Sequence, residues 1–406
     1  MASICFYFQI HQPYRVKRYS VFDIGNDPHY FNDESEQDLN NKRVLEKVAR
    51  KSYEPTTELL LTLLERHPEF RISFSISGIA LEQLLESSPK TVENLQKLVA
   101  TGRVELLAET YYHSLSFFYS KREFEAQVKK HAQLLKKVFG ITPTVFRNTE
   151  LAYSNELGLW AEQAGYKGIL AEGWDPILGS RSPDFVYRPK NTTKIALLLK
   201  NYALSDDVAF RFSSRDWKDW PLTAEKFAVW VHAMEGSAET INLFMDFETF
   251  GEHQWESTGI FNFLEQLPYE ILKHPDTTFK TPSEVIASFP PRDEIDMPNV
   301  VTWADTDRDL TAWTGNAMQR SAIDSLYSLE KEVRATLNDE YLEQWRRLQT
   351  SDHFYYMCTK WSADGDVHAY FSPYSTPHEA FTCFMNALGD LRLRVEKTGK
   401  FMAYTT

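Results

Sequence analysis

Leu243-Phe244-Met245-Asp246-Phe247-Glu248-Thr249-Phe250-Gly251-Glu252-His253-Gln254-Trp255 is the stretch on which the fold turns. Its first residues end an apolar strand that begins at Ile241. The strand runs without a break into three acidic side chains, a histidine and a tryptophan. A strand buried in a core has no structural use for such an ending, because desolvated carboxylates cost several kcal/mol unless they are paired or neutralised. In a barrel of parallel strands, the carboxyl end of each strand is where chemistry is placed. A strand running out into a solvated loop is the plainer alternative, but such a loop has no need of Phe247, Phe250 and Trp255. The stretch reads as one wall of an active site.

Four other segments share this build. Thr144-Val145-Phe146 leads into Arg147-Asn148-Thr149-Glu150, followed by a helical pattern from Asn155 to Ala164 that Gly165 closes. Arg147, three residues upstream of Glu150, is placed to keep it ionised through a charge-assisted hydrogen bond. A helix N-terminal carboxylate favoured by the macrodipole is the bland alternative for Glu150. The chain opens with the apolar run Ile4–Ile10, and Pro13 stops it with His11 at its tip. Val104–Ala108 is followed by Glu109, Tyr111, Tyr112 and His113, and Val300–Thr302 by Trp303 and Asp305. One such ending is weak evidence. Five with the same chemistry are not.

Between these tips, strand and helix patterns alternate up to about residue 285. Strands are expected at 3–10, 71–76, 104–107, 144–146, 168–170, 195–199 and 240–246, and helices at 44–66, 79–85, 91–99, 121–139 and 156–164. Alternation of this kind predicts parallel strands with crossover helices. Functional tips on several strands fit a TIM-barrel-like closed (β/α) barrel better than an open sheet. After Pro290-Pro291 the pattern changes to charged amphipathic helices at 317–337, 339–349 and 378–393. We therefore expect an α/β catalytic barrel over 1–290 and a C-terminal helical domain over 291–406 that completes the active-site cleft.

Composition narrows the function. The chain has 406 residues, and its 43% hydrophobic and 25% charged content is that of an ordinary globular protein. Aromatic residues make up 14%, which favours a partner with flat C–H faces such as a sugar, although large cores also use Phe and Tyr. A net charge of −13 without a basic block argues against nucleic acid and anionic membranes as partners. Cys5, Cys358 and Cys383 lack C-x-x-C spacing and read as reduced residues of a cytoplasmic protein. The chain enters its first strand at once, without a leader pattern, and no apolar run approaches a membrane span.

Taken in order, HQP (11–13), GRVELLAETYYHSL (102–115), FRNTEL (146–151), MDFETFGEHQW (245–255) and TWADTDRDLTAWTGN (302–316) resemble the five sequence regions of glycoside hydrolase family 57, closest to its α-amylase-type members. The resemblance implies an irregular (β/α)7 barrel, an α-1,4-glucan of the starch or glycogen type as substrate, retention of configuration and no cofactor. It places the nucleophile at Glu150 and the acid/base at Asp246. The residues agree, since Glu150 has Arg147 beside it whereas Asp246 leaves an apolar strand among aromatics, where a carboxyl's pKa is raised. The resemblance also suggests an inner-site carboxylate at Glu105. His11, Gln12, His113, His253, Glu248 and Asp305 are expected to bind sugar hydroxyls or hold neighbouring groups. Glu109 shares that expectation, and for Glu109, Glu248 and Asp305 structural pairing with Arg103 or Arg308 is the alternative. Trp303 is the first candidate for a stacking platform, followed by Trp174 and Trp255, for which core packing is an equal alternative.

The same site could serve a 4-α-glucanotransferase or a branching enzyme, because hydrolysis and transfer share one covalent intermediate. A metal-dependent deacetylase or mannosidase is a more distant reading, because no paired histidine motif stands at the strand ends. An inactive carbohydrate-binding homologue is equally distant, since residues 150 and 246 are both acidic. Oligomeric state is not legible.

Overall fold

The computed structural model of the protein describes residues 2–360 and 371–405, with residues 399–405 described as backbone only. The chain divides into two compact units, which do not follow a single cut in the sequence. One comprises Met1–His11, Glu46–Glu109 and Val128–Trp303; the other comprises Gln12–Leu45, Thr110–Gln127 and Ala304–Thr406.

The first unit is built on parallel strands. In chain order they are β1 Ala2–Ile10, β2 Ile72–Ile76, β3 Val104–Leu106, β4 Val145–Phe146, β5 Gly168–Glu172, β6 Arg188–Pro189, β7 Ala196–Lys200, β8 Thr240–Asp246, β9 Thr277–Phe279 and β10 Glu294–Ile295. Two ladders run β3-β2-β1-β8 and β4-β5-β7, parallel throughout. Two joins turn these ladders into a closed ring. Ala108, just beyond β3, bridges in parallel to Phe146 of β4, with N–H···O distances of 2.9 and 2.8 Å. Asn201, just beyond β7, donates its N–H to the Asn242 carbonyl of β8 at 2.9 Å, and the Asn242 amide donates to the Leu199 carbonyl at 2.8 Å. The result is a (β/α)7 barrel of β1, β2, β3, β4, β5, β7 and β8. Its irregularity lies at β1, where β9 pairs with Ala2–Ile4 and β2 with Tyr7–Ile10 along the same edge. Strands buried on both faces read as unbroken apolar runs, as β1 and β8 do.

Side-chain alternation sorts each strand into two faces. Phe6 and Phe8 of β1 face outward, where they pack against Phe74, Phe247, Phe250 and Phe279. Cys5, Tyr7, Leu107, Val145, Leu170, Leu198 and Phe244 face inward and form one core cluster. The short helix Pro282–Ser288 contributes Val285 to that cluster, with Ile286 and Phe289 packed against it. Gly168 is required at this point: a Cβ there would lie 2.2 Å from Cδ1 of Ile286.

The second unit contains the helices Ala317–Ser328, Glu330–Ala335, Asp339–Arg347, Ser351–Tyr355 and Pro377–Thr405. Trp345 is fully buried, and its indole N–H bonds the Leu326 carbonyl at 2.8 Å. Glu123 is buried as well and is neutralised by Arg334 and Arg346. Two arginines offset the desolvation cost that one carboxylate incurs. All three cysteines are free and buried. Among the described residues, no helix is long and apolar enough to cross a membrane.

Candidate active site

The next inward position above the apolar layer is polar on strand after strand: Gln9, Glu109, Arg147, Glu172, Lys200 and Asp246. These side chains form a charged floor with two ion pairs. The Gln9 amide donates to Glu109 at 3.1 Å and Tyr7 Oη lies 2.6 Å from Ser75 Oγ. Glu109 and Arg147 are both fully buried, with 3.9 Å between carboxylate oxygen and guanidinium nitrogen. The Lys200 ammonium donates to Asp206 at 2.9 Å and lies 3.7 Å from Glu172. Buried charges persist only when paired, and here each cation has its carboxylate.

Glu150 stands above this floor. It follows β4 in a one-turn 3-10 segment, Thr149–Leu151, and its backbone sits at φ 58, ψ 25. That left-handed conformation is uncommon for any residue but glycine, and it persists only where the surroundings impose it. They do so through Trp303. Tyr153 and Val301 exchange backbone hydrogen bonds of 2.8 and 2.9 Å, which carries Trp303 back over the Glu150 turn. The Trp303 N–H then bonds the Glu150 carbonyl at 3.2 Å, and its indole N–H bonds the Glu150 carboxylate at 2.8 Å. The indole ring is flanked by cations, with Arg147 5.0 Å and Lys200 5.5 Å from its centroid. Trp303 thus ties the carboxylate of Glu150 to the charged floor.

On the far side of the ring, β8 delivers Asp246 in register with Gln9 of β1. The chain then turns through the 3-10 segment Phe247–Thr249. Glu248 is buried there and accepts hydrogen bonds from the Tyr53 hydroxyl and, at 3.4 Å, from the His11 N–H. Burial, reinforced by the neighbouring Asp246 charge, pushes its pKa up to about 8. The raised titration belongs to the Asp246–Glu248 pair, which favours one retained proton over a double negative charge. His11 turns Nδ1 to Ser77 Oγ at 2.7 Å. The hook beyond folds back tightly, since the Glu248 carbonyl accepts from the N–H groups of Glu252 and His253 at 3.2 and 2.9 Å. Gly251, at φ 106, permits it, because a Cβ there would lie 2.0 Å from the Lys51 carbonyl. Burial pushes the His253 imidazole down to about 4, so it is neutral at physiological pH.

Several expectations need correction. Glu105 is not at the mouth. It faces inward from β3 four residues before Glu109, which lies just beyond the strand, a separation of ~13 Å at about 3.3 Å per residue. There its carboxylate accepts from the Ser283 N–H at 2.8 Å and from the Ser283 hydroxyl, at the start of the helix Pro282–Ser288. Burial raises its pKa. Arg147 pairs with Glu109 rather than Glu150, and among the described residues its three guanidinium nitrogens make no hydrogen bond. Trp303 is partly buried, bonded to Glu150 through its backbone and indole N–H groups, with Arg147 and Lys200 near its ring. Trp255 is 59% exposed, on the outward side of the hook. Trp174 follows β5 and is partly buried.

The second unit holds three of the expected residues. Gln12 is buried and accepts from Arg15 at 3.1 Å. His113 is buried at φ 50, with its carbonyl bonded to the Ser351 N–H at 2.9 Å. Asp305 accepts from Lys360 at 2.9 Å, a partner more distant in sequence than Arg308. Sequence reading passed over Tyr53, Glu172 and Lys200. The apolar runs before Glu172 and Lys200 carried the same signal as the five recognised tips. Tyr53 carried none. Among the described residues, no group of three or more His, Cys, Asp or Glu is gathered as a metal site.

The family model described as glycosyl hydrolase family 57 matches residues 5–298. A Methanocaldococcus jannaschii protein named "Putative alpha-amylase" is 42% identical over 405 residues, 97% of this chain and 85% of that one. The fold is shared with the crystal structure of 4-alpha-glucanotransferase from Thermococcus litoralis, at a TM-score of 0.67 and 16% identity. That match covers 87% of this chain but 56% of that one. The alpha-amylase AmyC from Thermotoga maritima shares the fold too, at a TM-score of 0.60 and 14% identity over 98% of this chain and 96% of that one.

Proposed function

The chain belongs to glycosyl hydrolase family 57, and from that premise we propose that it cleaves α-1,4-glucosidic bonds of starch- or glycogen-type glucans with retention of configuration. Glu150 is the nucleophile and Asp246 the acid/base. In the first step the Glu150 carboxylate attacks the anomeric carbon, the glycosidic bond breaks, and Asp246 gives its proton to the departing oxygen. In the second step Asp246 takes a proton from water, and the resulting nucleophile displaces Glu150 from the same carbon.

The observation that carries this reading is the presentation of Glu150. A carboxylate is held in a left-handed turn at a strand tip, with an indole N–H at 2.8 Å and a buried guanidinium beneath that indole. Hydrogen bonds to the charged form favour ionisation, which a nucleophile needs. Asp246 and Glu248 are neighbouring carboxyls whose like charges disfavour double ionisation, so the pair holds on to the proton that an acid must deliver. His11 and His253 act as hydrogen-bonding groups toward sugar hydroxyls, and Trp174 as a stacking ring. Gln12, His113 and Asp305 belong to the substrate-binding set through their motifs. Three free, buried cysteines suit a reducing compartment, and we place the protein in the cytoplasm.

The test is Glu150→Gln, assayed on amylose and maltoheptaose with product lengths resolved. Turnover should vanish while the circular dichroism spectrum is unchanged. A folded variant retaining a tenth of the rate would remove Glu150 from the role. For the native chain, shorter products alone mean hydrolysis, whereas longer products as well mean glucan transfer.

A further inference from the structure

A second pocket lies on the outer side of the hook that follows β8. It has a volume of about 700 Å³ and is lined by the turn Ala49–Tyr53, by Pro55 and Leu59 of the helix Glu54–Arg66, by the hook, and by the segment that runs on into the helix Ile260–Leu272. The π-helical turn Ala49–Tyr53 supplies Arg50 and Lys51, the hook supplies Trp255, and the start of the helix Ile260–Leu272 supplies Asn262. Glu150, Asp246, Trp303 and His11 take no part in its lining. A volume of this size is ordinary for a small-molecule site.

The lining indicates the chemistry of the occupant. Trp255 presents its ring to solvent, with 59% of the residue exposed. A large aromatic kept at the surface is what a C–H face stacks on. Asn262 and Ser257 offer an amide and a hydroxyl, groups that can donate and accept toward adjacent hydroxyls. The charges cancel: Arg50 and Lys51 stand against Glu256 and Glu265, and Lys51 is already paired with Glu252 at 3.4 Å. A phosphorylated or carboxylated ligand would meet no net positive field. A neutral polyhydroxylated ring meets an aromatic face and balanced hydrogen-bonding groups. The π-helical turn is also a local irregularity of the kind that gathers at functional positions.

We propose that this pocket is a second carbohydrate-binding site, which holds a segment of the glucan away from the mouth with Trp255 as its stacking ring. The proposal rests on the glucan reading above. A polymer anchored there returns to the mouth at a raised effective concentration, so the site matters more for long substrates than for short ones.

The experiment uses the full chain carrying Glu150→Gln, so that the ligand survives, titrated calorimetrically with maltoheptaose. Two binding events are expected, and adding Trp255→Ala should weaken one of them at least ten-fold while the other persists. A single event insensitive to Trp255→Ala overturns the proposal. So does loss of all binding in a folded double variant, because Trp255 would then belong to the mouth. If the native chain cleaves amylose yet only one event is seen, the second site alone falls. If the native chain cleaves no α-glucan and the Glu150→Gln chain binds none, the substrate class falls and takes the second site with it.

Discussion

Trp303→Phe isolates the contact on which the reading of Glu150 depends. Phenylalanine keeps an aromatic face for Arg147 and Lys200, which lie 5.0 and 5.5 Å from the ring centroid, but it removes the indole N–H that bonds Glu150 at 2.8 Å. A hydrogen bond to a charged group contributes about 1.5–3 kcal/mol. At about 1.4 kcal/mol per decade, its loss corresponds to a roughly 10- to 150-fold slower first chemical step. The carboxylate also loses a donor that favours its ionised form, so the acid limb of the kcat/KM profile should move to higher pH. The assay is the glycosylation rate on a maltooligosaccharide across pH, with circular dichroism to verify the fold. A stacking platform behaves differently: its loss raises KM and leaves kcat in place. A Trp303→Phe protein with unchanged kcat and an unmoved acid limb would refute the positioning role, whatever happened to KM.

Asp246→Asn should be leaving-group dependent, because an acid matters least when the departing alcohol needs no proton. Equal loss of glycosylation rate on a natural maltooligosaccharide and an activated aryl glucoside would argue against Asp246 as the acid. Glu248→Gln addresses the raised carboxyl beside it, whose pKa moves from 4.5 to about 8 on burial. Between those values the folded protein binds a proton that the unfolded chain lacks, so this group's contribution to stability is present below about 4.5 and lost as pH rises through about 8. The glutamine cannot ionise, so the fall in denaturant midpoint from pH 5 to pH 8.5 should be shallower in the variant. An equally steep fall in both proteins would show that Glu248 is not the group titrating there.

The barrel was legible because its strands are buried on both faces. β1 and β8 are unbroken apolar runs, and all seven barrel strands fall within the runs expected from sequence or overlap them. Elements without that contrast escaped. The helix Ile260–Leu272 carries Pro268 inside it and was not foreseen. The expected helix over 44–66 is two α-helices joined by the π-helical turn Ala49–Tyr53. Hydrophobic periodicity does not register one extra residue per turn, yet that turn brings Tyr53 to Glu248.

The site divides along the same line. Strand tips announce themselves because an acidic residue after an apolar run is costly and visible, which is how Glu150, Asp246 and Glu248 were found. What joins them is set by depth along the strand and by closure of the ring, and neither is written locally. Glu105 on β3 and Glu109 just beyond it both point inward, and their motif does not say which reaches the mouth. The structure gives Glu109 to Arg147 and Glu105 to Ser283, so four residues separate a carboxylate in the charged floor from one that fixes a helix start. Arg147 and Glu150 are three apart in sequence, and proximity suggested a pair. But Arg147 continues the inward face of β4 above Val145, whereas Glu150 follows in a left-handed turn beyond the strand. The vacant position beside Glu150 is filled by Trp303, more than a hundred residues later, through the two-residue bridge of Tyr153 with Val301. A tryptophan in a polar run invites a stacking role. Only the closed ring explains why this one faces a carboxylate and two cations.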